Sequence, residues 1–325
     1  MATAAIVVVA VLVILSSAAA APAPAMFVFG DSLVDDGNNN ELSCLAKANF
    51  FPYGIDFFHG GAGATGRFCN GNTFVDALCD ILGLEYVPPF ATITNAMING
   101  TMSLLGGVNY ASAAGGILDE TGQHLGERFS LSQQVLNFES NLDTIRSHIG
   151  DQIEGGYDDY MARSIAVMVL GSNDYINNYL ITSLYESYYS YSPEDYANLL
   201  ITHYTRQILA LNSVGLRKFL LSGMGPLGCI PRLRASGLGP LGQCVDQVNQ
   251  MVGFTVVDSG CCVLGEDGTC EPYAQPCETR EQHVFWDAYH PTQAVNLILA
   301  QKAFNGSHDH VYPLNLQQLA DLSLA

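Results

Sequence analysis

The chain has 325 residues, of which 49% are hydrophobic, so it is long enough for one large or two small domains with a sizeable core. Its 31 acidic and 12 basic residues give a formal charge of −19. Nucleic acid and anionic membrane surfaces are therefore excluded as partners, because both require basic patches. The composition also excludes a disordered chain.

A charge-free apolar run at Ile6–Leu15 is followed by the small-residue stretch SSAAAAPAPA. The run is too short to span a bilayer, and the A-x-A character after it is typical of a secretory signal peptide. We therefore expect residues 1–25 to be a signal peptide and residues 26–325 to be one secreted domain. No later stretch is long and apolar enough for a membrane helix, so the sequence predicts no integral membrane segment.

Nine cysteines and two glycosylation sequons, at Asn99 and Asn305, fit an oxidising compartment. Four of the cysteines cluster late in the chain, at Cys261, Cys262, Cys270 and Cys277. Such a cluster can bind zinc or form disulfides, and secretion favours disulfides, with the connectivity left open. Because nine is odd, at least one thiol is free or pairs between chains.

Apolar runs alternate with helical patterns from Met26 onward. Short continuous apolar runs predict buried strands, and apolar residues at helical spacing between capping signals predict helices. The predicted strands lie at 26–29, 164–170 and 219–224, and the predicted helices at 73–83, 131–150, 192–215 and 290–304. This alternation predicts an α/β fold whose parallel sheet is covered on both faces.

The three predicted strands end in the small and polar stretches FGDS, LGSND and SGMGPLG. Ligands of such sheets bind beyond the carboxyl ends of the strands, so these three endings should face one crevice. On its own, Ser32 in FGDS is first explained as a polar residue at a strand-to-loop turn. To be a nucleophile it needs a base, and the base needs an orienting group.

The stretch WDAYHPT supplies candidates for both groups, Asp287 and His290, at the entrance of the last predicted helix. At a spacing of three residues the carboxylate can reach the Nδ1–H of the imidazole, which leaves Nε2 free to take a proton from Ser32. A lone histidine is more often structural, and the chain has seven others. The pattern therefore favours a hydrolase without establishing one.

Acyl transfer also needs hydrogen-bond donors for the oxyanion. The backbone N–H of Gly107 in GGVNYASAAGG and the amide of Asn173 in GSNDY are candidates, with a plain turn and a loop cap as the structural alternatives. No Gly-x-Ser-x-Gly elbow surrounds Ser32, which excludes an ordinary α/β-hydrolase.

Together these motifs resemble the plant-type branch of the GDSL esterase/lipase family, also called SGNH hydrolases. The resemblance runs from about Phe27 to the C-terminus. The matching stretches are FVFGDSLVDDGNNN, KANFFPYGIDF, TGRFCNGNTFVD, GGVNYASAAGGILDETG, GSNDYINNYL, GMGPLGCIPR and FWDAYHPTQAVN. Their order over most of the chain overturns the structural interpretation of Ser32.

The resemblance implies a flavodoxin-like three-layer α/β/α sandwich that hydrolyses acyl lipids or other carboxylic esters through an acyl-enzyme. Ser32 is then the nucleophile, His290 the general base and Asp287 its orienting acid, whereas Asp31 is structural. The Ser32 N–H, the Gly107 N–H and the Asn173 side chain are implied as the oxyanion hole. No metal or organic cofactor is implied. The expected location is the apoplast or cell wall.

The chain departs from the family pattern at three places. Cys69 stands where serine is usual, and Val263 stands where glycine is usual beside the double cysteine. After Gly253 a strand-plus-helix unit of about 30 or more residues is missing. We therefore expect a sheet that lacks one edge strand and its adjoining helix, unless FTVVD replaces the strand.

Four alternatives to a working hydrolase follow from the resemblance and its departures. One is a catalytically impaired splice-type variant, and another is a secreted lipid- or carbohydrate-binding member of the family without turnover. A third is a transacylase that passes the acyl group to an alcohol instead of water. The fourth is a chain that does not fold.

Overall fold

The computed structural model describes residues 23–58, 63–93, 104–149, 155–237, 244 and 260–323. Its centre is a sheet of four strands in the order β2-β1-β3-β4. All neighbouring strands are parallel. The strands are β1 (Met26–Gly30), β2 (Gly107–Asn109), β3 (Ile165–Val169) and β4 (Lys218–Leu221).

Helices cover both faces of this sheet. The longer helices are α1 (Phe74–Leu82), α2 (Leu131–Ile149), α3 (Gly156–Arg163), α4 (Pro193–Ser213), α5 (Gln293–Asn305) and α6 (Leu316–Asp321). Shorter helical segments span Ser172–Asp174, Ser187–Ser190 and Pro231–Arg234. The four helices expected from the sequence are therefore present.

Local capping explains where two of these helices begin. The Thr73 hydroxyl accepts the Asp76 amide proton while the Asp76 carboxylate accepts the Thr73 amide proton, which forms a capping box before α1. The Ser192 hydroxyl accepts the Asp195 amide proton before α4, and Pro193 occupies the first turn. Side chains thus pair amide groups that the helix itself leaves free.

Alternate residues of β1 point into two separate apolar layers. Phe27 and Phe29 pack with Phe138 of α2 on one face. Met26 and Val28 belong to the layer on the other face, which is built from α1, α5 and α6. Every residue of β1 and β3 is buried, as expected for parallel strands covered on both sides. The three-layer α/β/α prediction is confirmed.

Within the described residues the sheet ends at β4. The side chain of Leu221 in this strand is 46% exposed, whereas its neighbour Leu220 is buried. An exposed last strand fits the expected loss of an edge strand. The proposed replacement, FTVVD at 254–258, and the junction at Gly253 lie outside the described residues, as does the sequon at Asn99.

The residues just before Met26 pack against the sheet. Ala23 and Ala25 are both fully buried, and the carbonyl of Ala25 accepts a hydrogen bond from the Ile165 amide at 3.0 Å. Residues 1–22, which hold the apolar run, lie outside the described residues. No helix among the described residues is long and apolar enough to cross a membrane.

The cysteines form three disulfides, Cys229–Cys244, Cys261–Cys277 and Cys262–Cys270. Cys44, Cys69 and Cys79 are free thiols. The sulfur atoms of Cys261 and Cys277 lie close to a nitrogen of His283. Because both sulfurs are bonded to each other, they are not available as thiolate ligands for zinc.

The two single-residue departures fit the structure without disruption. Val263 is exposed, and the disulfides that flank it are both formed. The Cys69 thiol is buried and lies 3.0 Å from the Gly71 carbonyl oxygen. A serine hydroxyl and a thiol can both donate such a hydrogen bond, although the thiol does so more weakly.

Candidate active site

Ser32 follows directly on the carboxyl end of β1. The Asp31 amide still bonds to the Val169 carbonyl of β3, after which the chain turns sharply. The amides of Val34 and Asp35 both donate to the Asp31 carbonyl and close this turn. The turn presents Ser32 at the sheet edge, where its Oγ lies 2.7 Å from Nε2 of His290.

The other ring nitrogen of His290 faces Asp287. Its Nδ1 lies 2.8 Å from Oδ2 and 2.9 Å from Oδ1 of that carboxylate. The backbone amides of Tyr289 and His290 also donate to Oδ1, at 2.8 and 2.9 Å. The Phe68 ring packs on the imidazole with a centroid distance of 5.0 Å. The structure therefore joins Ser32, His290 and Asp287 in one hydrogen-bonded chain across 258 residues of sequence.

Asn173 lies just beyond β3, at the same edge of the sheet. Its Nδ2 donates to the Gly115 carbonyl at 2.9 Å, and its Oδ1 accepts from Nδ2 of Asn177 at 2.7 Å. These two bonds define the orientation of the amide and turn its nitrogen toward the loop after β2. One N–H of Asn173 satisfies Gly115, which leaves the second available to a substrate oxygen.

The structure does not bring Gly107 to Ser32. Gly107 is the first residue of β2 and pairs in register with Met26, at the amino end of β1. Ser32 lies beyond the other end of β1, and four strand residues alone span about 13 Å. The φ of +106° at Gly107 instead serves packing, because a Cβ there would lie 1.8 Å from the Met26 carbonyl oxygen.

The residues of this sequence motif that do reach the sheet edge are Ala114–Gly116. The Ser112 amide bonds to the Gly30 carbonyl, and the Ala113 amide bonds to the Asp35 carboxylate. Ala114 has a φ of +62°, an uncommon backbone conformation for a residue with a Cβ. In the part of the chain that the structure describes, no acceptor pairs with the Ala114 amide. Ala114 could not be identified from the sequence motif, because the motif does not encode the register of β2 against β1.

Asp174 holds this loop in place. Its buried carboxylate accepts from the amides of Ile117 and Leu118 at 2.8 and 3.0 Å and from the Thr121 hydroxyl at 2.7 Å. Burial raises the pKa of Asp174 to about 6, while these donors oppose the shift. The residue beside Asn173 thereby fixes the segment whose Gly115 carbonyl Asn173 contacts.

Gln134 of α2 holds the last residue of β1. Its Oε1 accepts from the Gly30 amide at 2.8 Å, and its Nε2 donates to the Gly30 carbonyl at 2.8 Å. A single buried side chain thus pairs with both backbone groups of a residue that lies two positions before Ser32. Gln134 could not be found from the sequence, because a polar residue at a core-facing helix position carries no signal for its distant partner.

Asp31 is buried, and Nδ1 of His290 pairs with Asp287 instead of with Asp31. One Asp31 oxygen accepts from the Leu33 amide at 3.0 Å, whereas the other has no partner among the described residues. Burial raises the pKa of Asp31 to about 7, although the Leu33 amide and the charge of His290 both lower it. Its contacts fit the structural role expected for it.

Comparison with known proteins identifies the family to which the chain belongs. Residues 26–303 match the family model described as GDSL-like Lipase/Acylhydrolase. Two GDSL esterase/lipases of Arabidopsis thaliana are each 46% identical to the chain, over 92% and 91% of its length and 88% of their own. GDSL esterase/lipase 7 of the same plant is 42% identical over 92% of this chain and 93% of its own.

The first of these alignments spans 348 positions, whereas the chain has 325 residues, so that relative contains residues that this chain lacks. This agrees with the internal loss expected from the sequence. The match nevertheless covers both ends of the described site, from Ser32 to His290. The chain belongs to the GDSL-like lipase/acylhydrolase family and is a hydrolase of carboxylic esters.

Proposed function

We propose that the chain is a secreted serine esterase that uses Ser32, His290 and Asp287 to form and hydrolyse an acyl-enzyme. The single observation that carries this proposal is the unbroken series of hydrogen bonds from Ser32 Oγ through the imidazole to the buried carboxylate. This arrangement meets the geometric requirement for a serine nucleophile, a general base and an orienting acid.

In the acylation step Ser32 Oγ attacks the ester carbonyl carbon while His290 Nε2 takes the hydroxyl proton. Asp287 holds the imidazole in the tautomer whose Nε2 is unprotonated and stabilises the imidazolium that forms. The imidazolium then gives its proton to the departing alkoxide, which leaves as the alcohol. Water attacks the acyl-enzyme in the same way, returning the serine proton and releasing the acid.

The tetrahedral intermediates need donors for their oxyanion. We assign this role to the Ser32 amide, the second N–H of Asn173 and the Ala114 amide, which replaces Gly107. Ala114 is preferred because its amide lacks an acceptor among the described residues and its loop is bonded to Asn173 through Gly115. Backbone strain of this kind is concentrated at functional sites.

The decisive test is hydrolysis of p-nitrophenyl butyrate by the purified chain beside a Ser32→Ala variant. We expect a wild-type rate well above background and loss of at least about 10³-fold in the variant. If both proteins match background, melt cooperatively and leave a serine-directed phosphonate unreacted, the non-catalytic binding hypothesis replaces this one. Adding an alcohol acceptor separates the transacylase alternative, because an ester product would then form.

Secretion is the second part of the proposal. The apolar run at Ile6–Leu15 supports it, and the burial of Ala23 and Ala25 argues for cleavage before Ala23 instead of after residue 25. N-terminal sequencing of protein secreted by plant cells should therefore find a first residue at or before Ala23. A mature protein that begins at Met26 would contradict the proposed boundary.

A further inference from the structure

Tyr53 connects Asp287 to the disulfide-bonded segment 261–277. The Tyr53 hydroxyl oxygen lies 2.6 Å from Oδ2 of Asp287. This hydroxyl oxygen also accepts the Cys270 amide proton, at 3.1 Å. Cys270 is held by its disulfide to Cys262. Because the amide donates into the hydroxyl oxygen, the hydroxyl proton is left to point at the carboxylate, which can only accept.

The position of this hydroxyl is set by packing. Tyr53 is 1% exposed, and its ring packs edge-on against Phe50 and Phe68 at centroid distances of 5.3 and 5.8 Å. The Phe68 ring also contacts His290 at 5.0 Å. One aromatic side chain thus locates both the imidazole and the phenol that bracket Asp287.

The carboxylate depends on this phenol because it has no access to water. Asp287 is 0% exposed, so its charge must be stabilised by hydrogen bonds. Two backbone amides donate to Oδ1. In the described part of the chain, Oδ2 receives hydrogen bonds only from His290 and Tyr53.

We propose that Tyr53 is a positioning residue for the proposed triad, which fixes Oδ2 of Asp287 against the imidazole and sets the pH range in which His290 acts as a base. This inference rests on the proposed function and extends it. The phenol withdraws negative charge from the carboxylate, so the carboxylate stabilises the imidazolium less than it would alone. The Tyr53 hydroxyl also connects the Asp287 carboxylate to the disulfide segment, through the amide of Cys270.

Other titratable groups lie near Tyr53, Asp287 and His290, and the test must leave them unchanged. They are Asp31 beside His290, Cys69 and Tyr289 near Asp287, and Asp267 near Tyr53. Removing only the Tyr53 hydroxyl leaves all of them unchanged. Any change in the titration of His290 can then be assigned to the lost hydrogen bond.

The test is Tyr53→Phe, measured as a pH profile of kcat/KM and as an NMR titration of the His290 ring. We expect the acid limb and the His290 titration to move up by about 0.5–1 pH unit. In the plateau, kcat should fall on the order of 10-fold with little change in KM, since a small displacement of the base costs that much. An unchanged profile, titration and plateau in a folded variant would overturn the proposal.

Tyr160→Phe is the matched control. Tyr160 is fully buried, and its hydroxyl donates to the Leu105 carbonyl at 3.2 Å, away from the site. Tyr160→Phe should lose about as much unfolding free energy as Tyr53→Phe and should keep the wild-type pH profile of kcat/KM. A shift equal to that of Tyr53→Phe would show a general effect of lost stability and would contradict a specific role for Tyr53.

Two further measurements keep the test decisive. If the wild-type chain hydrolyses no ester, the proposed function fails, but the NMR titration of His290 in both proteins still decides the role of Tyr53. If Tyr53→Phe does not fold, 3-fluorotyrosine incorporated at position 53 provides a stronger donor. That protein should shift the His290 titration to lower pH, and no shift would overturn the proposal.

Discussion

Asn173 shows how much of the proposed chemistry depends on one side-chain amide. The bond from Asn177 to its Oδ1 keeps its nitrogen on the side of the loop that contains Ala114. Because donors of this kind act on charge that develops only in the transition state, their loss lowers kcat more than it raises KM.

Asn173→Ala should therefore lower kcat by about 10²–10³-fold with a small change in KM, measured on p-nitrophenyl butyrate. Asn141→Ala serves as the control, since Asn141 is a partly buried asparagine that bonds to the Tyr110 hydroxyl away from the site. A loss below about threefold in Asn173→Ala would remove Asn173 from the proposed oxyanion hole.

The raised pKa of the buried Asp31 carboxyl group makes the free energy of unfolding depend on pH. Burial raises its pKa from 3.8 to about 7, and it raises the pKa of Asp35 and of Asp174 to about 6. Between pH 3.8 and about 6–7, these three carboxyl groups hold protons in the folded protein that they have released in the unfolded chain. The contribution of these groups to the free energy of unfolding is therefore largest below about pH 4 and is lost as the pH rises to about 7.

Asp31→Asn should flatten this dependence, because the amide does not titrate. Urea unfolding at pH 5 and pH 8 should show a smaller drop in unfolding free energy for the variant than for the wild type. Asp143→Asn, at an exposed side chain, should leave the wild-type drop unchanged. An equal drop in Asp31→Asn would mean that Asp31 is ionised in the folded protein at both pH values.

At the scale of secondary-structure elements, α2 aligns the end of β1 through Gln134. The helix packs Phe138 against Phe27 and Phe29, and Gln134 then meets the backbone of Gly30. The apolar contacts bring helix and strand together, whereas the directional amide bonds fix where the strand ends. The orientation of the turn at Ser32 follows from both.

Gln134→Met keeps the side-chain length and removes both bonds to Gly30. We expect the free energy of unfolding to fall by about 1–3 kcal/mol, because the buried Gly30 amide loses its acceptor. Through displacement of Ser32, kcat should fall by about 10–100-fold. Gln133→Met, at an exposed position of the same helix, should change neither quantity. Full activity in a destabilised Gln134→Met would limit Gln134 to a structural role.

For the molecule as a whole, the described residues bring the proposed site together although β4 is the last strand of the sheet that they form. Ser32 lies in the turn after β1, and Asp287 and His290 lie in the loop before α5, a helix that packs on α1. That loop is bonded to the disulfide segment through the amides of Cys261 and Cys262 and the carbonyls of Phe285 and Trp286. All of these contacts lie within the described residues, and none of them involves a strand beyond β4.

Among the described residues no strand pairs with the outer edge of β4, and an open edge with an exposed leucine should promote self-association. Leu221→Lys is expected to raise the monomer fraction at micromolar concentrations in light scattering after size exclusion, and to keep kcat/KM within about twofold of the wild type. A monomeric wild type, or a variant whose melting temperature drops by several degrees, would show that Leu221 is covered by another part of the chain.

The alternating strands and helices could be predicted from the residues alone, because hydrophobic periodicity and capping act over a few residues. It also identified Asp287 and His290 as a pair, since a spacing of three residues brings a carboxylate to an imidazole without help from the rest of the fold. The family motifs then selected Ser32 as their partner. These inferences depend on local geometry or on motifs that keep their order along the chain.

Which ends of distant segments meet became clear from the folded structure and could not be predicted from the sequence. The register of β2 against β1 places Gly107 beside Met26, at the far end of β1 from Ser32, and places Ser112 beside Gly30. Tyr53 meets Asp287 across 234 residues, and Gln134 meets Gly30 across 104. Disulfide pairing among the late cysteines was settled in the same way. Such contacts arise from strand register and packing, which depend on the whole folded chain and leave no local pattern in the sequence.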